Sequence, residues 1–203
     1  ILNTMHQVAE SYHRDLATAT TDEVTSGSIH DGIIAKEANL DKVLNIDSYP
    51  RYMLVDHFYD LDVKLNAVQT NSEEKGNFID NVYNVMRDNG IVFKTNGKAF
   101  DKDISIEKIL SLQGNELSIS LTLQNIDSSP ISGIYGSELN FALLGGHSHD
   151  RYYVIDGEKP SDSYLDAKGT ETDVEKIEIV NEYDGFTIST IFNEQTDLWH
   201  YPV

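Results

Sequence analysis

The stretch "ELSISLTLQN", residues 116–125, decides the fold class. Leu117, Ile119, Leu121 and Leu123 alternate with Ser118, Ser120, Thr122 and Gln124. Successive side chains of an extended chain point to opposite faces, so a period of two predicts a strand with one apolar and one wet face. Neighbouring segments continue the theme. "VEKIEIVN" and "GFTISTIF" read as a hairpin across "EYDG", with Asp184 and Gly185 supplying the turn. "RYYVID", "NVYNVM" and "GIVFKTNG" read as further short strands, with Asn96-Gly97 as another tight turn. Many short antiparallel strands separated by such turns indicate a β-sandwich or barrel.

The amino-terminal part differs. Leu2, Met5, Ala9, Tyr12 and Leu16 recur at steps of three and four, which predicts one amphipathic helix over residues 1–16. A helix that short is marginal in water without a surface to lie on. The small, polar run "ATATTDEVTSG" reads as a linker at 17–27, leaving 28–203 as the β domain. The chain opens on "ILNTMH" and closes on "LWHYPV", and reads as a piece cut at both ends.

Composition narrows the possible partners. The 203 residues are 39% apolar, enough for a core, and carry a formal charge of −19 from 15 basic and 34 acidic side chains. Such a surface repels phosphate backbones and anionic lipid, so we expect neither nucleic acid nor membrane as a partner. Neutral ligands such as sugars stay open. Without cysteine there is no disulfide, thiol nucleophile or thiolate metal site, which fits a cytoplasmic location.

The chemical candidates are few. "YGSELNFALLGGHSHDRYY", residues 135–153, reads as a strand with Leu139, Phe141 and Leu143 on one face. Glu138 and Asn140 lie on the other, and Gly145-Gly146 ends the run. The polar face suits hydrogen bonding to a partner domain or a ligand. His147 and His149 have a spacing that metal sites use on strands, but after two glycines we read them as solvated loop residues and expect no metal. Asp56-His57 could be a carboxylate-oriented imidazole, yet adjacent strand residues face opposite ways, and a structural pair is the simpler reading. "DKDISIEKILSL" lacks the glycine and final glutamate of a calcium loop. No nucleophile elbow, zinc-protease helix or phosphate loop is present, so no residue is assigned as catalytic and no cofactor is expected. Trp199 could stack on a sugar ring or anchor the core, and Tyr152 and Tyr153 alternate so that at most one is buried.

The order of these segments resembles a known domain. "SIHDGIIAKEANLDKVLNIDSYPRYMLVDHF" (28–58) is similar to the entry of the C-terminal domain of glycoside hydrolase family 57. The similar features are Lys36-Glu37, then Asp47, Tyr49 and Arg51, then Asp56-His57-Phe58. "ISIEKILSL", "LSISLTLQN", "GSELNFALL" and "LWHYPV" follow in that domain's order, over residues 28–203. The resemblance implies an antiparallel β-supersandwich, galactose mutarotase-like, packed on a catalytic β/α-barrel of the same parent chain. The family's α-amylases and 4-α-glucanotransferases carry their catalytic carboxylates in that barrel, and no segment here resembles it. The implied function is an accessory domain that shapes an α-glucan cleft, its own activity doubtful. The alternatives are an α-glucan-binding module using Trp199, Tyr152, Tyr153, His57 and Glu138, or a mutarotase- or epimerase-like enzyme.

Overall fold

The computed structural model describes residues 47–203 apart from 89 and 144. The helix expected at 1–16 and the linker at 17–27 lie outside the described residues. What is described is mainly antiparallel β. The elements run β1 (Val55–Tyr59), α1 (Leu65–Thr70), β2 (Asn84–Arg87), β3 (Ile91–Ala99), β4 (Lys102–Gln113), β5 (Glu116–Asn125), β6 (Ile134–Glu138), β7 (Arg151–Ile155), β8 (Gly169–Asn181) and β9 (Phe186–His200). β2, β3, β4 and β5 form a four-stranded meander, β7, β8 and β9 a three-stranded sheet, and β1 pairs with β6.

The expected hairpin at β8 and β9 is present. Gly185 adopts a left-handed φ of 70°, and its N–H donates to the Asn181 carbonyl at 3.0 Å. The turn expected at Asn96-Gly97 is not a turn; both residues sit inside β3. Gly97 is glycine because Phe78, Asn77 and Asn81 press on it, each within 2.7 Å of where a Cβ would stand. The reversal comes instead at Phe100-Asp101, whose φ values of 52° and 61° match the twist of a two-residue hairpin turn.

A second correction concerns the strand expected through Leu143. β6 ends at Glu138. Beyond it the Asn140 amide donates to the Tyr52 carbonyl at 2.9 Å and to the Glu138 carboxylate at 2.7 Å. Such side-chain bonds compete with the ladder and turn the chain aside.

β1 and β6 lie between two cores. All five residues of β1 are buried. Phe58 packs on one side with Phe78, Ala99, Ile104 and Ile106, joining the meander, with Tyr135 of β6 beside them. Tyr59 packs on the other with Val63, Ala67 and Val68 around α1, with Ile134, Trp199 and Tyr201 against them. Each large apolar side chain so buried contributes about 1.5–3 kcal/mol. A strand buried on both faces must place any polar side chain inside the protein, and β1 carries two.

Candidate functional site

Asp56 and His57 open onto opposite sides of β1, as their adjacency requires. Each has its own set of partners. His57 Nδ1 lies 2.8 Å from Glu74 Oε2, and Nε2 lies 2.9 Å from Glu138 Oε2. Glu74 is fixed in turn, its Oε1 accepting the Phe58 and Gly76 N–H groups, both at 2.8 Å. The Tyr59 hydroxyl stands 3.2 Å from His57 Nδ1, and the two rings stack at 5.8 Å.

An imidazole with a carboxylate at both nitrogens is arranged as a cation, because only the protonated ring donates from both. Burial works against that charge, but the hydrogen bonds and charges of Glu138 and Glu74 outweigh it, and the His57 pKa lies above 6.5. The two carboxylates sit at different edges of the ring. They converge on the imidazolium, not on a shared cation position. Among the described residues no group of three or more histidine, aspartate or glutamate side chains is placed to hold a metal ion.

Asp56 forms the second cluster. Lys108 Nζ reaches Asp56 Oδ2 at 2.5 Å, and the Tyr135 hydroxyl donates to Oδ1 at 2.6 Å. The Tyr83 hydroxyl also donates to Oδ2, and Lys108 bonds the Leu54 carbonyl. Lys108 further lies over the Tyr83 ring, 4.8 Å from its centre. Burial pushes the Lys108 ammonium below its usual range while the Asp56 charge pulls it back. Burial and Asp56 together hold both tyrosines protonated well above the ordinary phenol range. Neither tyrosine is therefore poised to act as a base near neutral pH.

The residues expected to contact sugar lie on β1, β6, β7 and β9. The fold brings His57 and Glu138 into contact. Trp199 packs against Tyr59, ring centres 6.5 Å apart, within the α1 core. Tyr152 and Tyr153 lie in the three-stranded sheet. Tyr153 packs on His200 at 5.0 Å, while Tyr152 donates to Glu182 at 2.9 Å with the Lys159 ammonium 3.4 Å from its ring centre. His147 sits in an exposed loop, stacked on Tyr164 at 4.0 Å and 3.1 Å from Asp166. Asp47, Tyr49 and Arg51 form a local group: Arg51 pairs with Asp47 at 2.9 Å, bonds the Tyr49 hydroxyl and lies over its ring.

Sequence reasoning missed Glu74, Lys108, Tyr83 and Tyr135. Lys108 carried a signal: it interrupts the apolar register Ile104, Ile106, Leu110, Leu112 of β4. A lysine in that register must either expose the face or find a buried partner.

The described residues thus form an antiparallel β domain whose buried ionisable side chains are bonded to one another. The chain belongs to the family described as "Alpha-amylase/4-alpha-glucanotransferase, C-terminal", which matches residues 1–203. It is 26% identical over 199 residues to an α-amylase of Pyrococcus abyssi, covering 96% of this chain and 27% of that protein. It is 24% identical to α-amylase 1 of Dictyoglomus thermophilum, covering 100% of this chain and 29% of that protein. The fold matches the crystal structure of a 4-α-glucanotransferase from Thermococcus litoralis with a TM-score of 0.68 at 16% identity, over 98% of this chain and 28% of that one. The chain therefore spans little more than a quarter of the length of these relatives. Among the described residues no helix is long and apolar enough to cross a membrane.

Proposed function

We propose that this chain is the accessory domain of an α-glucan-processing enzyme of glycoside hydrolase family 57 type. It packs on the catalytic barrel and forms one wall of the carbohydrate cleft. In this reading the described residues belong to the mutarotase-like sandwich. The parent chemistry is cleavage or transfer of α-glucosidic bonds by two carboxylates held in the barrel.

One observation carries this reading. The groups here best suited to acid–base work are engaged with one another: buried His57 with the half-buried Glu74 and Glu138, and buried Asp56 with buried Lys108. A general acid or base needs reach to a substrate proton, and these bonds supply structure in its place. The test is direct. The purified chain, incubated with amylose, is expected to release no reducing ends and to give no heat on titration with maltooligosaccharides. Reducing-end release would make it a catalyst in its own right. Binding heat at millimolar sugar, lost on Trp199→Ala, would make it a carbohydrate-binding module instead.

A further inference from the structure

The leucine face of β5 is only half covered. Leu117, Leu121 and Leu123 keep 40%, 38% and 41% of their surface exposed. The strand register extends this face across the whole meander. Leu117 stands opposite Leu112, Leu110 opposite Ile91, and Val85 opposite Phe93. Leu112 and Val85 are 74% and 58% exposed. At its other end the same face dives into the core at Ile104 and Ile106. One continuous apolar surface is thus buried at one end and open at the other.

Charge marks the face as well. The chain has 34 acidic residues, yet no strand position on this side of the meander carries a carboxylate. Asp103, Glu107 and Glu116 all fall on the opposite side, with Ser118, Ser120 and Thr122. Its charged positions are basic: Lys108, which is buried against Asp56, and Arg87 beside Ile91. Exposed apolar patches of this kind, kept free of carboxylates on so acidic a chain, mark association surfaces.

We infer that the open end of this face is where the remainder of the same polypeptide packs, through an apolar surface of its own. The inference rests on the accessory-domain reading above and names the surface that reading requires. Two observations select this occupant. The matched relatives hold more than twice as much chain outside the matched part as within it, since the match covers 27% and 29% of them. A second copy is disfavoured because two bodies of charge −19 repel. A tethered partner is present at an effective concentration of about millimolar, so a patch too small for a free dimer suffices.

The test uses the full-length polypeptide that contains this chain. Single substitutions Leu112→Cys and Leu117→Cys on the apolar side, and Ser120→Cys on the polar side, are labelled with a maleimide, and each site is read by peptide mass spectrometry. Positions 112 and 117 are expected to react at least tenfold more slowly than 120, at a rate independent of protein concentration. Hydroxyl-radical footprinting of the unmodified polypeptide is expected to show Leu112 and Leu117 protected, whatever the variants do to folding. Equal reactivity at the three sites overturns the proposal, and so does protection that disappears on dilution, which assigns the face to a second copy. The accessory reading fails separately, if deleting residues 47–203 leaves the parent's thermal midpoint and glucan cleavage unchanged. Damage on deletion together with a reactive position 112 rejects only the surface.

Discussion

Lys108→Met is expected to destabilise the domain by about 3–5 kcal/mol, the largest single-site effect foreseen outside the apolar cores. Methionine fills similar volume, so the loss is electrostatic. The Asp56 carboxylate, 1% exposed, would keep two tyrosine hydroxyls but lose the lysine ammonium paired with it. A charge left alone in a low-dielectric interior costs far more than the intact pair contributes. The comparison that isolates this cause is the double variant Asp56→Leu with Lys108→Met. Removing both charges is expected to restore most of the lost stability in urea unfolding. A double variant as unstable as the sum of its single changes would show that packing, not charge, is what Lys108 provides.

The second large effect belongs to His57. Replacing it with leucine leaves Glu74 and Glu138 without the cation between them, and a loss of about 3 kcal/mol is expected. Each carboxylate retains other donors, Phe58 and Gly76 for Glu74 and Asn140 for Glu138, which keeps the loss at the lower end. The wild-type contribution has a definite pH signature. The folded pKa of His57 is raised, so the folded state binds the proton more tightly than the unfolded chain does. The stabilisation is complete below pH 6.5 and is lost as pH rises through the folded value. Lys108 works in the other direction at more alkaline pH, since its folded pKa is lowered. Subtracting the urea profile of His57→Gln from that of the wild type removes Lys108 and every other group unaffected by the change. The difference should decline with rising pH above 6.5; a flat difference would mean that His57 is neutral in the fold.

The meander and the long hairpin were legible because their signals are local. Alternation in "ELSISLTLQN" and Asp184-Gly185 both act over a few residues. Asn96-Gly97 misled for an instructive reason. The same glycine serves a turn or a close approach, and which one depends on Phe78, nearly twenty positions earlier in the chain. The burial of β1 on both faces was not legible, since "VDHFY" carries an aspartate and a histidine side by side and the sequence does not show what would pair with each. Its polar residues are tolerated through partners at Glu74, Lys108, Tyr135 and Glu138, far along the chain. His57 and Glu138 could each be singled out from the sequence; their contact required knowing that β1 pairs with β6.

That pairing also bears on the order in which the molecule assembles. Tyr59 meets Ile134 across about 75 residues, whereas the hairpins of the meander close across two or three. Closing the longer gap in an unstructured chain costs about 2–3 kcal/mol more entropy than closing a hairpin. It becomes affordable once the meander has formed and drawn its two ends together. The central ribbon should therefore dock late in refolding. Trp199, the sole tryptophan, sits against Tyr59 and reports that step. In stopped-flow refolding its fluorescence should lag the far-ultraviolet circular dichroism signal, and a single shared phase would contradict this sequence of events.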